Sequence, residues 1–216
     1  MLEKMSDFFE KRLTGYDEHM LSNIYGAKEF YAYTASLLPT AADAEILDLG
    51  CGTGLELEEY FAVNPNARVT GIDLSASMLR KLSSKFENRS IRLICGSYFD
   101  VPLGTGEYDA AVSVESLHHF TKEQKQKLYS KLKKSLKPDG YFVLTDYFAG
   151  SDELESEYFA QLEALKKEQG ITDDEFYHYD TPLTVEHEIE ILKESGFTGT
   201  EIKKNWQATY TIVAAF

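Results

Sequence analysis

Between Glu45 and Tyr147 the chain alternates short apolar runs with amphipathic stretches. The runs at 45–49, 68–72, 91–95, 109–114 and 140–146 have the length and the Ile, Leu and Val content of buried strands. Residues 55–63, 76–86 and 122–136 repeat their apolar positions at helical spacing, as Leu128, Leu132 and Leu136 do, and Lys137-Pro138-Asp139-Gly140 reads as the stop of the last of these helices. The alternation predicts an α/β fold, a Rossmann-like doubly wound and mostly parallel sheet with right-handed crossovers. Residues 1–40 read as helical and carry Phe8, Phe9, Tyr16, Tyr25, Phe30, Tyr31 and Tyr33, too aromatic for a disordered tail and suited to a cap over a cleft. After Tyr147 the alternation breaks. Ser151 to Gln169 is an acidic amphipathic helix, Ile171 to Thr181 an aromatic, carboxylate-rich turn, and Leu183 to Ser195 a helix ending at Gly196-Phe197. Strands near 198–204 and 207–215 then close the chain as a C-terminal antiparallel hairpin. The expected organisation is one domain over 1–216: a helical cap (1–40), an α/β core (45–147), a helical lid insertion over the carboxyl ends of the strands (148–182), and a closing helix with its hairpin (183–216).

The candidate chemistry concentrates where the first strand turns into the first core helix, at Ile46-Leu-Asp-Leu-Gly-Cys-Gly-Thr-Gly-Leu-Glu56. Gly50, Gly52 and Gly54, with Cys51 between them, let the backbone turn sharply and approach a ligand, and the helix start beyond Leu55 points free N–H groups back at the loop. A dinucleotide loop needs G-x-G-x-x-G beside its pyrophosphate. Here the third glycine comes one residue early and Leu55 takes its place, which disfavours a nicotinamide or flavin oxidoreductase. Asp48, at the end of the strand, sets a carboxylate where it favours an ammonium and repels phosphate. The next strand, Arg68-Val-Thr-Gly-Ile-Asp73, ends in a carboxylate about 20 residues beyond the glycines, where the two hydroxyls of a ribose diol would donate bidentate hydrogen bonds to it; a helix N-cap is the alternative for such an aspartate, and Ser75 can serve as that cap instead. Met78, one turn into the following helix, fits either an adenine face or ordinary core.

Composition bounds these readings. A chain of 216 residues, 43% hydrophobic, is long enough for one sizeable core. Its net charge of −14 argues against a nucleic acid partner. The lysines between Lys122 and Lys137 read as the wet face of a helix packed on the sheet rather than as an RNA contact. No apolar run is long enough to span a membrane and the N-terminus is too charged for a signal peptide, so a cytoplasmic protein is expected. Cys51 and Cys95 lack C-x-x-C spacing, read as reduced, packed thiols, and indicate neither a disulfide framework nor a metal site.

The pattern D-x-G-x-G-x-G of Asp48 to Gly54, set between strand and helix and followed by Asp73, resembles the class I S-adenosylmethionine-dependent methyltransferases over nearly the whole chain. Within them the chain is distantly similar to the carboxy-S-adenosylmethionine synthase group, through Gly15-Tyr16, Cys95-Gly-Ser-Tyr98, Gly196-Phe197 and Trp206-Gln207. The resemblance implies S-adenosylmethionine as cofactor, with Tyr16 closing over it, Gly50 and Gly52 along its methionine part, Asp73 and Leu74 at its ribose, and Ser97 and Tyr98 flanking its adenine. Glu115 stands where that group has an asparagine near the sulfonium, and a carboxylate there can pair with the positive charge. The synthase group also uses a lid arginine to hold a carboxylated cofactor. This chain has no arginine after Arg92, and its lid reads Asp173-Asp-Glu-Phe-Tyr-His-Tyr-Asp180, which favours plain S-adenosylmethionine.

Methyl transfer from a sulfonium is an in-line displacement, so alignment in a dry cleft is the main requirement, with a base where the acceptor must lose a proton. Candidates are His118 and His119, in the loop after the fourth strand, and His178 in the lid. Neighbouring side chains in a loop diverge, so at most one of the pair is expected to face the substrate, and Leu-His-His-Phe is otherwise a structural turn. Asp146 and Tyr147 end the fifth strand on the cleft side. Trp206 and Tyr210 read as core of the closing hairpin. The aromatics hint at an apolar or aromatic small-molecule acceptor. The alternatives are carboxy-cofactor synthesis or tRNA modification within the enzyme class, and a non-catalytic cofactor-binding interaction or sensor protein outside it. A homodimer in which the cap covers a neighbour's cleft is as compatible with the sequence as self-capping.

Overall fold

The computed structural model describes residues 1–172 and 175–216. Three helices, α1 (Met5–Arg12), α2 (Tyr16–Asn23) and α3 (Ala27–Ser36), precede the core. The core runs β1 (Glu45–Leu49), α4 (Leu55–Val63), β2 (Arg68–Asp73), α5 (Ala76–Lys85), β3 (Ser90–Cys95), β4 (Tyr108–Val114), a 3-10 turn at Leu117–His119, α6 (Lys122–Ser135) and β5 (Leu136–Tyr147). Then come α7 (Asp152–Gln169), α8 (Val185–Glu194), β6 (Gly199–Trp206) and β7 (Thr209–Ala215). The seven strands form one sheet in the order β3-β2-β1-β4-β5-β7-β6. β1 to β5 are parallel, and β7 lies antiparallel between β5 and β6. The winding reverses between β1 and β4, and such a reversal leaves a crevice beyond the carboxyl ends of those two strands.

Strand alternation assigns the side chains of β1 to the two layers. Leu47 and Leu49 pack with Leu128 and Leu132 of α6 and Ile191 of α8. Ile46 packs with Leu57 of α4, Leu82 of α5 and Phe30 of α3. Asp48 shares the face of Ile46, and this places its carboxylate against α4 rather than in the crevice.

Several expectations need correcting. β5 begins at Leu136, through a ladder contact with Tyr108 and a bulge before Ala110, so Lys137 to Gly140 belong to the strand instead of ending a helix in a loop. Lys125 is not on the wet face of α6. It is 2% exposed and its Nζ lies 2.6 Å from Glu188 Oε2, with Tyr129 also donating to that carboxylate. Cys51 is buried but Cys95 is exposed, so only the first is a packed thiol. Of the N-terminal segment, α1, α2 and the residues between and just after them line the cavities at the crevice, and α3 does not. α3 packs on α4, and Trp206 fits between Phe30 and Tyr33 while its indole N–H donates to Glu29.

The cap and the lid meet. Lys4 bridges Tyr177 in antiparallel fashion, Met5 N–H donates to Phe176 O at 2.9 Å, and His178 N–H donates to Glu3 O at 2.9 Å. Asp173 and Asp174 lie outside the described residues. No described helix is long and apolar enough to cross a membrane.

Candidate functional site

The glycine loop lies at the reversal point. Gly50, Gly52 and Gly54 take φ of +78°, +46° and +75°, in the left-handed region that β-carbons disfavour. Gly50 and Cys51 both donate to Ile72 O, pinning the loop to the end of β2. A Cβ at Gly50 would fall 2.1 Å from Ser116 Oγ. Asp73 accepts from Gly52 N–H at 2.9 Å through Oδ2 and from Ser75 N–H at 2.8 Å through Oδ1, while Ser75 itself caps α5 by accepting from Met78 N–H. Each Asp73 oxygen keeps a second lone pair.

Around this loop lies a small cavity of about 50 Å³, lined by Gly50, Gly52, Asp73, Leu74, Met78, Tyr98, Glu115 and Ser116 and roofed by Met5, Phe9 and Tyr16. It adjoins a larger one of about 730 Å³, and Phe9, Tyr16, Glu115 and His119 line both. Phe8, Phe9, Met20, Ile24 and Tyr147 give the larger cavity apolar walls, and His118, His119, His178 and Asp180 form a polar end. Of the residues expected at a cofactor, Tyr16, Gly50, Gly52, Asp73, Leu74, Met78, Tyr98 and Glu115 are thus brought together. Asp48, Cys51, Gly54 and Ser97 are not among the lining residues. Cys51 packs under the loop against Gly71, and Ser97 turns away to accept from Phe99 N–H at the base of a different, outer pocket.

Asp48 meets Glu56 of α4 instead of a ligand. Both are buried, and Asp48 Oδ2 and Glu56 Oε1 have no hydrogen-bond partner. Burial, then their mutual repulsion and the nearness of Asp73, raises Asp48 well above the carboxylate range; burial raises Glu56 to about 7, with Lys85 opposing. The pair therefore holds a proton near neutrality. In the unfolded chain Glu56 returns to about 4.5, so its contribution to stability is present below that pH and is lost as pH rises through about 7. Glu56→Gln is expected to stabilise the free protein increasingly from about pH 5 to about pH 8, by up to a few kcal/mol. Urea unfolding at the two pH values checks this; a pH-independent difference would contradict the shared proton.

No lysine or arginine lines the small cavity among the described residues, whereas Asp73 and Glu115 do, with Asp48 and Glu56 behind the loop. Such a field favours a cationic ligand and disfavours a pyrophosphate. Glu115 is held at φ +49° and accepts from Thr209 Oγ1 at 3.1 Å; burial and then Asp146 raise it to about 7.

The histidines depart from expectation. His118 and His119 do not diverge: their ring centroids are 4.0 Å apart, the rings tilted by 56°, and both line the large cavity, because the 3-10 turn brings them together and Asp180 of the lid approaches both. Asp146 accepts from the Leu117 and Tyr147 N–H groups and lies 2.5 Å from His118 Nδ1. Burial works against a charge on His118, but Asp146 outweighs it and lifts the group to about 9. Burial and the neighbouring His118 lower His119. His178 stacks on Phe8 at 3.4 Å and is lowered to about 4, by burial first and His119 next. Sequence reasoning missed Phe8 and Phe9 as cavity walls, Ser116 behind Gly50, and Asp180 at the polar end. Only the aromatic richness of the cap signalled the first two.

The chain is similar to known methyltransferases in sequence and in fold. Residues 46–140 match a family model described as a methyltransferase domain. An uncharacterized methyltransferase of Synechocystis is 32% identical over 57% of this chain and 57% of its own length. A carboxy-S-adenosyl-L-methionine synthase of Nautilia profundicola is 23% identical over 99% of this chain and 95% of its own. Among solved structures, human N-acetylserotonin methyltransferase in complex with S-adenosylmethionine shares the fold at a TM-score of 0.63 and 18% identity, over 88% of this chain and 52% of that one. The chain thus spans little more than half the length of the Synechocystis and human proteins.

Proposed function

We propose that the chain is a class I S-adenosylmethionine-dependent methyltransferase domain, a reading supported by its fold and by the match of residues 46–140 to a methyltransferase domain, and that it transfers a methyl group to a small molecule with an apolar or aromatic body. The observation that carries this reading is the pair of adjoining cavities, one lined by the glycine loop and carboxylates, the other by aromatic rings with an imidazole and carboxylate pole.

In this reading Gly50 and Gly52 admit the methionine part, Asp73 uses its remaining lone pairs on the ribose diol beside Leu74, and Met78 and Tyr98 border the adenine. Glu115 faces the sulfonium, and Tyr16 covers it. S-adenosylmethionine, when bound, supplies a methyl group made electrophilic by its sulfonium. The protein's own task is to align the acceptor and keep water out. Phe8, Phe9 and Tyr147 hold the acceptor's apolar body, and His178 belongs to that wall through its stack on Phe8. His118 and His119 with Asp180 hold the acceptor's polar atom and its proton. The small cavity is tighter than such a cofactor, so α1 and the lid segment bonded to it open together for entry.

The end-to-end similarity to a carboxy-S-adenosylmethionine synthase favours a second reading, in which the cofactor carries an extra carboxylate. Mass spectrometry of ligand released from freshly purified protein separates the two. We expect S-adenosylmethionine or S-adenosylhomocysteine; a retained mass heavier by one carboxyl group would select the second reading, and a dinucleotide would refute both.

A further inference from the structure

We propose that His118, His119 and Asp180 form a binding site for a divalent metal ion of the zinc type at the polar end of the large cavity, an inference that rests on reading that cavity as the acceptor site. His118 Nε2 lies 3.6 Å and His119 Nδ1 3.2 Å from Asp180 Oδ1, and the three ligand atoms lie within 4.8 Å of one another. Ligands placed tetrahedrally about 2.0–2.2 Å from a zinc ion stand about 3.3 Å apart. Small side-chain rotations therefore close the set around an ion, and Asp180, with its side chain 50% exposed, is free to make them.

The surroundings of His118 supply a second, independent observation. A metal-bound histidine almost always donates its other ring N–H to a carboxylate or carbonyl, which fixes the ring and leaves the far nitrogen as a lone-pair donor. His118 Nδ1 is 2.5 Å from Asp146 Oδ1, and Asp146 is buried and fixed by the Leu117 and Tyr147 N–H groups. That arrangement aims Nε2 at Asp180. The lid is held in place at the same point, since Thr181 N–H donates to His118 O at 2.8 Å. His119 Nδ1 also lies 3.2 Å from Tyr179 O, and an ion would take the place of the proton now shared there.

Glu115, His118 and Asp146 also cluster, but there His118 and Asp146 are in direct hydrogen-bond contact, with no room for an ion between them. In the His118, His119 and Asp180 set three sides come from protein and the remaining side opens on the 730 Å³ cavity, the arrangement of a catalytic rather than a structural metal site. Two imidazoles and a carboxylate suit zinc, cobalt or nickel better than magnesium or calcium, and His118, protonated near neutrality in the free protein, would release its Nε2 proton as the ion binds. An ion there would hold the acceptor by an oxygen and acidify it, as bound metal acidifies water. It would also tie the lid to the core.

The test uses the full chain, freed of metal by a chelator and titrated with Co²⁺ under visible absorption and with Zn²⁺ under calorimetry. We expect one saturable site per chain with the d–d bands of a low-coordinate nitrogen and oxygen site. Asp180→Ala should weaken it at least about tenfold, and Asp146→Asn about 10–100-fold. His119→Gln serves as a further variant, and the half-exposed Asp180 keeps the test decisive if that buried change fails to fold. Absence of saturable binding, or binding that Asp180→Ala leaves unchanged, would overturn the site. Calorimetry with S-adenosylmethionine on the same metal-free sample separates the two claims: cofactor binding without a metal site sinks only this inference, and a metal site without cofactor binding sinks the methyltransferase reading.

Discussion

Asp73→Ala is expected to weaken S-adenosylmethionine binding about a hundredfold or more while the protein stays folded. Two charge-assisted hydrogen bonds to a diol are each worth about 1.5–3 kcal/mol, and their joint loss corresponds to that factor. The same change removes the acceptor for Gly52 N–H, so the loop loses one of its tethers to β2 along with the ribose contact, while Gly50 and Cys51 still donate to Ile72 O. Asp73→Asn keeps one carbonyl oxygen and should fall between. Isothermal titration gives the affinities, and a thermal scan shows the fold intact. If Asp73 only anchors the turn, stability drops while the dissociation constant stays within a few-fold of the parent.

The largest effect on stability is expected at a distance from the cleft. Glu188→Ala should lower the unfolding free energy by about 3–5 kcal/mol, because it leaves the Lys125 ammonium buried without its counter-charge and Tyr129 without its acceptor. Replacing the set together, as Lys125→Met, Glu188→Leu and Tyr129→Phe, should recover most of the loss, since a buried ion pair often gains little over well-packed apolar groups. Urea unfolding measures both. A single variant within about 1 kcal/mol of the parent would mean that Lys125 escapes to solvent when unpaired.

Lys125 also marks a limit of the sequence. Helical periodicity located α6 to within a residue at its end, and Leu128 and Leu132 do face the sheet. Lys125 lies on that same face, and only Glu188, distant in sequence on α8, makes its burial tolerable. Strand and helix order in the core was legible because each element carries its own periodicity and stop signal. The beginning of β5 was not, since Pro138 and Gly140 normally punctuate a turn and here lie in an irregular strand entry beside a bulge.

That Gly50, Gly52, Asp73 and Leu74 would come together was legible for a local reason: they sit at the ends of two adjacent strands, whose order the motif itself implies. Asp48 was misplaced because alternation along β1 turns it toward α4, a matter of parity that the motif does not state. The polar end of the large cavity draws on the turn after β4, the end of β5 and the lid. Nothing in the spacing of His118, His119, Asp146 and Asp180 announces that they meet; the sheet order and the lid's path bring them together.

Calorimetric titration of the purified chain with S-adenosylmethionine and S-adenosylhomocysteine tests the central claim most directly. Micromolar, one-to-one binding of both, with NAD(H) giving none, is the predicted result; absence of heat with either, or saturable binding of the dinucleotide in their place, would contradict it.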